Sequence, residues 1–395
     1  MMMLAGLVLV AATDGAATPA TEVVAYRSVS YGCSHGNNCI QSSFLHHNWS
    51  AITTVVAFTQ TNITELCALA KRQDTKVVVA HGETLNTSNL GDGGCVAEWI
   101  SNGTDSVVAL RSIGVHGLNL DIEHFRFDGT ARTRQQLTDL VCNIQKRLEA
   151  ERQSLFAVNT KIWGDTAHFD LAGLAGCTEH LVPMGYDMIS KTSTTGAPVA
   201  SSNAPLPLLA SDLKTYYLQR GVPPAKLILG LPLYGYSFPC AASSSAPASA
   251  AMMGLTASSL RPAGLPPPCH VEGADSADWQ AGLGTVLGKL DCGVTTAAGR
   301  DPTSESPYFE YNETKHDPKG RHQVWHEDSA SLTVKAGLAG IALWSIDALW
   351  NVPTSAESSA VWTAIDVRHG GSAAVATETD RLRTAGRQAA RRGRT

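Results

Sequence analysis

Residues 116–123 read His-Gly-Leu-Asn-Leu-Asp-Ile-Glu, a strict alternation of apolar and polar side chains after the glycine. In a strand, successive side chains point to opposite faces. Leu118, Leu120 and Ile122 would then form one row, and Asn119, Asp121 and Glu123 the other. An ordinary half-buried strand hides its apolar row and wets its polar row. Here the flanking segments read as helices that would cover the apolar row, so the polar row must face an interior or a cleft. Two carboxylates roughly 6–7 Å apart on such a face are costly unless they are used. Beside a second acid in a partly desolvated site, Glu123 should hold its proton to higher pH than a surface glutamate. That suits a general acid acting on a leaving oxygen. Alternation alone leaves open a strand end with two solvated acids.

The rest of the chain decides what surrounds this strand. Short β-rich or apolar runs occur at 22–28, 52–58, 76–80, 155–159, 181–186, 226–232 and 340–345. With 116–123 as the fourth, they make eight candidate strands. Helical spacing recurs between them, at 63–72, 95–113, 132–152, 207–219 and 355–367, although Asn102-Gly103 is a weak point in the second of these. In 132–152, Leu137, Leu140, Val141, Ile144 and Leu148 form one apolar stripe with charged residues opposite. Gly221-Val222-Pro223-Pro224 is a stop signal after 207–219. Eight short strands interleaved with helices point to an α/β fold, a (β/α)8 TIM barrel with a long insertion between strands 7 and 8. A doubly wound open sheet is disfavoured, because no glycine-rich phosphate loop follows the first strand. In a barrel, functional residues sit at the C-terminal ends of strands, where Glu123 and Tyr186 fall.

The insertion spans about 234–335. Its stretch 241–268 is rich in Ala, Ser, Pro and Met and reads as a loop. Tyr308, Phe309, Tyr311 and Trp325 follow, either as a small satellite core or as a wall of a cleft. Residues 1–20 read as a signal peptide, apolar and then small-residue-rich. Residues 21–368 read as the catalytic barrel. The tail, 369–395, is arginine-rich and reads as disordered and solvated.

Sequons at Asn48, Asn62, Asn86, Asn102 and Asn312 and nine cysteines support the secretory route, to the lysosome or the outside of the cell. An odd cysteine count leaves at least one thiol unpaired. Cys33 with Cys39 and Cys240 with Cys269 are candidate disulfides, and the Cys33/His35/Cys39 spacing fits no zinc pattern well. The net charge of −5 gives no reason to expect nucleic acid or an anionic membrane as a partner. No run after the leader is long enough to span a bilayer.

The octapeptide resembles the signature strand of the family 18 glycoside hydrolases, D-G-x-D-x-D-x-E. Asp121 and Glu123 match its last two acids. His116 stands at the first, and Asn119 at the second, as in the chitobiase-like branch of the family. The likeness runs from about residue 50 to 350. It is carried by Pro183-Met184-Gly185-Tyr186-Asp187, Asn203-Ala204-Pro205, the stretch 229–236, His322-Gln323-Val324-Trp325 and the stretch 340–344.

The resemblance implies a retaining, substrate-assisted hydrolysis of GlcNAc-β1,4-GlcNAc linkages. The sugar's own acetamide oxygen attacks its anomeric carbon, so no protein nucleophile is needed. Glu123 would act as general acid and base. Asp121 would accept the acetamide N–H, and Tyr186 would donate to the acetamide oxygen. Asp187 and Asn203 would hold sugar hydroxyls, and Trp344 would be the apolar floor under the ring. Asn119, Met184, Tyr234, Trp325, Tyr26 and Phe58 complete the implied sugar site. The resemblance implies action on N-acetylglucosamine oligosaccharides; a monomer with no cofactor or metal is expected. An endo-acting chitinase and an inactive chitin-binding lectin are the other readings. Asn119 cannot ionise, so Asp121 must be tuned differently from its counterpart in ordinary chitinases. His116 should lie at the far end of the strand as a structural residue.

Overall fold

The computed structural model describes residues 22–28, 48–82, 85–122, 125–126, 128–162, 168–188, 199–240, 269, 279–283, 286, 295–312, 320–337, 340–349 and 356–365. The expected leader, the Cys33–Cys39 pair, the loop 241–268 and the tail 369–395 lie outside them.

Eight parallel strands close a barrel: β1 Val23–Arg27, β2 Thr54–Ala57, β3 Lys76–His81, β4 Gly117–Asp121, β5 Ser154–Lys161, β6 His180–Met184, β7 Ile228–Pro232 and β8 Gly340–Trp344. They follow one another around the ring, and β8 pairs with β1. Around them lie α1 Ile63–Arg72, α2 Gly93–Ala109, α3 Ala131–Ala150, α4 Leu171–Cys177, α5 Leu206–Asp212, α6 Ser329–Ala336 and α7 Ala356–Ile365. The helices bury one row of each strand. Leu118, Leu120 and Ile122 lie in that outer layer with the Leu137/Leu140/Val141/Ile144/Leu148 stripe of α3. The other row fills the barrel with a separate cluster that includes Val24, Val56, Val78, Phe156, Val182, Ile228 and Ala342. The alternation of 116–123 therefore has the cause expected of it, a strand wrapped by helices outside and by a ring of side chains inside.

Several elements differ from the sequence expectation for local reasons. α2 passes through Gly103 unbroken, with Gly103 buried against His81 and Trp99. The segment expected as one helix over 207–219 is α5 followed by a π-helical turn, Leu213–Tyr217, and a 3₁₀ turn, Leu218–Arg220. The π turn brings the Tyr217 hydroxyl to Lys161 C=O (2.9 Å) and Thr160 Oγ1 (2.8 Å) on β5. α4 is too short and too glycine-rich to show a helical period. It is pinned to α3 by the disulfide Cys142–Cys177, which spacing alone did not suggest. Cys240–Cys269 is formed as expected. His116 lies at the N-terminal end of β4, where its Nδ1 accepts the Val77 N–H at 3.2 Å.

The insertion is a five-stranded antiparallel sheet in the order Trp279–Gly282, Tyr234–Pro239, Arg321–Trp325, Pro307–Asn312, Thr295–Arg300. A buried ionic knot joins it to the barrel. Lys335 of α6 and Glu327, both with fully buried side chains, pair at 2.5 Å, and Lys335 also donates to Ser306 Oγ at 2.9 Å. Ser306 in turn donates to Glu327 (3.0 Å) and lies 2.6 Å from the hydroxyl of Ser202, next to Asn203.

Candidate active site

The C-terminal ends of the strands gather the chemistry. Asp121 closes β4 on the inward row and is half-buried. The strand ladder between β4 and β5 shifts register between Leu118 and Asn119, so Asp121 lies opposite Asn159 of β5. Asn159 Nδ2 donates to Asp121 Oδ1 at 3.0 Å. The Tyr26 hydroxyl of β1 donates to Asn159 Oδ1 at 2.6 Å and lies 3.2 Å from Asn119 Oδ1. Burial, and then the charge of Asp121, push the Tyr26 phenol well above its ordinary pKa, so it stays a neutral donor.

A floor lies beside this network. Trp344, closing β8, meets Phe58 edge-on with ring centroids 4.9 Å apart. Both are half-buried and rest on Tyr26, whose ring is 5.6 Å from Trp344 and 5.8 Å from Phe58. Tyr186 and Asp187 follow the end of β6. The Tyr186 ring lies over Gly230 of β7, where a Cβ would come within 3.2 Å of its Cε1. Asp187 sits in the left-handed region at φ 57°. Its N–H donates to Asn203 Oδ1 at 2.7 Å, while Tyr234 and Tyr236 donate their hydroxyls to its Oδ1 at 2.5 and 2.6 Å. Both tyrosines belong to the first strand of the insertion, so the insertion holds the loop that follows β6.

The other residues expected at the sugar site differ in burial from Trp344, Phe58, Tyr186 and Asp187. Tyr26, Asn119, Asn203 and Tyr234 are each no more than 2 % exposed. The hydroxyls of Tyr26 and Tyr234 go to Asn159 and Asp187, Asn119 Oδ1 faces Tyr26, and Asn203 accepts the Asp187 N–H and donates to the Tyr234 C=O. Met184 is also buried, at 7 % exposure. Trp325 is 3 % exposed and stacks on Tyr308 at 4.6 Å in the satellite core of the insertion. Glu123 lies outside the described residues. Asn159 and Tyr236 were not among the residues expected at the site. Asn159 had a visible signal, an amide in the otherwise apolar run Leu-Phe-Ala-Val. Among the described residues, no three His, Cys, Asp or Glu side chains gather as a metal site.

The family model described as "Glycosyl hydrolases family 18" matches residues 40–348. Among curated relatives, di-N-acetylchitobiase of Mus musculus is 27 % identical over 322 residues, covering 78 % of this chain and 80 % of that protein. "Probable di-N-acetylchitobiase 2" of Dictyostelium discoideum is 29 % identical over 328 residues, 78 % of this chain and 79 % of that one. Among solved structures, the group IV chitinase of Ostrinia furnacalis superposes with TM-score 0.64 at 17 % identity, covering 87 % of this chain and 99 % of that one. The likeness to the solved structure carries the fold alone.

Proposed function

The chain belongs to glycosyl hydrolases family 18, and on that premise we propose that it hydrolyses GlcNAc-β1,4-GlcNAc linkages with retention, through the substrate's own acetamide. The observation that carries this reading is the position of Asp121. It is an acid on the inner row of a barrel strand, at the strand's C-terminal end, held by an amide and two residues before Glu123. In the proposed cycle Glu123 protonates the glycosidic oxygen and later activates water. Asp121 accepts the acetamide N–H and balances charge on the cyclised intermediate. Tyr186 donates to the acetamide oxygen, Asp187 meets a sugar hydroxyl, and Trp344 with Phe58 supports the ring's apolar face. Such stabilisation of developing charge by fixed groups is the main source of rate in sites of this kind.

The names of the curated relatives support a chitobiose-type substrate, with GlcNAc-containing oligosaccharide as the partner. Residence in the secretory pathway, lysosomal or extracellular, fits the two disulfides, which persist in oxidising compartments. No helix among the described residues is long and apolar enough to cross a membrane.

The test is release of GlcNAc from chitobiose-terminated oligosaccharides at acid pH. Glu123→Gln should lower turnover by about 10²–10⁴-fold. A folded wild-type chain without turnover, or a Glu123→Gln variant with wild-type turnover, defeats the reading. Endo-cleavage of longer chains is the second reading. Products from chitopentaose separate the two: terminal GlcNAc from an exo-acting enzyme, internal fragments from an endo-acting one.

A further inference from the structure

We infer that Asn159 is the positioning residue that orients Asp121 and keeps it ionised; this rests on the family 18 reading and adds a residue to it. Asn119 does not fill that role. It stands on the same row of the same strand as Asp121, yet its Nδ2 is buried without a hydrogen-bond partner among the described residues. It offers the carboxylate nothing in this conformation. The donor comes from the next strand instead, because the register shift between β4 and β5 sets Asn159 opposite Asp121. With an unshifted ladder, Val158 would stand there.

The direction of the amide follows from its two neighbours. An asparagine presents one accepting and one donating end. Tyr26 is a neutral phenol whose single proton goes to the nearer acceptor, Asn159 Oδ1 at 2.6 Å, rather than to Asn119 Oδ1 at 3.2 Å. That leaves Nδ2 of Asn159 aimed at Asp121 Oδ1, 3.0 Å away. The reverse orientation would set a carbonyl oxygen against a carboxylate. The chain Tyr26–Asn159–Asp121 thus donates in one direction, and a hydrogen bond given to the charged form of an acid favours that form. Titratable groups toward the C-terminal ends of the strands include Tyr26 and Arg27 on β1, His81 on β3, Lys161 on β5, and Tyr186 and Asp187 after β6, and Glu123 follows Asp121 two residues on in the sequence. His81 is packed edge-on against Trp99 of α2, 5.4 Å between centroids. Lys161 shares the row of Asn159 two residues on. A substitution at 159 replaces none of these groups, though it alters the nearer acceptor of the Tyr26 hydroxyl, so Tyr26→Phe is the control that separates the amide from the phenol.

The experiment compares wild type with Asn159→Asp, Asn159→Leu and Tyr26→Phe, each checked for folding by its thermal midpoint. Asn159→Asp keeps the shape and replaces the donor with a second carboxylate. Tyr26→Phe removes only the hydroxyl that orients the amide, and covers the case in which a variant at 159 does not fold. The expected result at acid pH is a fall in kcat of about 10- to 100-fold for Asn159→Asp and Asn159→Leu, the loss of one charge-assisted hydrogen bond. KM should be little changed. The acid limb of the pH–rate profile should move to higher pH, furthest in Asn159→Asp, and Tyr26→Phe should shift it in the same direction by less. A second readout needs no turnover: the ¹³C carboxyl shift of Asp121, assigned with Asp121→Asn and followed against pH, should titrate at higher pH in the Asn159 variants. Folded variants with an unmoved acid limb and an unmoved Asp121 titration overturn the role of Asn159. A wild type without turnover overturns the proposed reaction instead, and the carboxyl titration still decides the inference.

Discussion

Adding one methyl group to Gly230 should disable Tyr186 without touching it chemically. A Cβ on Gly230 would lie 3.1 Å from the Pro183 carbonyl oxygen, 3.2 Å from Tyr186 Cε1 and 3.4 Å from Met184 Cα. The backbone cannot yield cheaply, because β6 and β7 are neighbours in a closed ladder and the Gly185 N–H donates to Gly230 C=O at 2.9 Å. The half-buried Tyr186 ring is the part that can turn. Forcing a methyl into such a space costs about 1–3 kcal/mol. Turning the ring relieves the Tyr186 contact but leaves the 3.1 Å approach to the Pro183 carbonyl, so Gly230→Ala should fall within that range and not at its floor. The rate should suffer more, since a displacement of about 1 Å at a reacting group can cost on the order of 10²-fold. The assay is kcat on a chitobiose substrate beside a urea unfolding curve, for Gly230→Ala, Tyr186→Phe and the double variant. If the glycine acts through the tyrosine, Gly230→Ala adds little in the Tyr186→Phe background. A folded Gly230→Ala variant with unchanged kcat, or fully additive effects, refutes the coupling.

Other outcomes follow from the same geometry. Burial pushes the Asp347 carboxyl up to about 7, against a usual 3.8, despite the Ser28 N–H donated to it and the nearby Arg27. The folded chain therefore keeps a proton that the unfolded chain releases, and stability should fall as the pH rises from about 4 to about 7, by at most ~4 kcal/mol. Unfolding midpoints at both ends of that window should show the slope, and Asp347→Asn should flatten it. Lys335→Met leaves the buried Glu327 charge unpaired and should cost about 3–5 kcal/mol, whereas adding Glu327→Leu should restore much of the loss, both read from urea curves. Replacing Cys142 and Cys177 by serine opens a loop of 35-residue separation, which by loop entropy should cost up to about 4 kcal/mol in the thermal unfolding of the oxidised chain.

Periodicity was enough to determine the strands and the barrel, because each strand of a closed parallel barrel must bury one row under helices and the other inside. That constraint is local and shows in residues such as Leu118, Leu120 and Ile122. Asp121 stood out as a candidate for the same reason: a carboxylate on the inward row at a strand end is costly to desolvate for packing alone. What surrounds Asp121 was not legible. One extra residue in the β5 ladder turns Asn159, rather than Val158, toward the carboxylate, and register between strands is decided by packing across the ring, not by either strand's own pattern. The burial of Trp325 against Tyr308, and the grip of Tyr234 and Tyr236 on Asp187, likewise depend on how an insertion folds back over the barrel. Contacts between residues far apart in the chain carry no periodic signature, so only the tertiary structure could assign them.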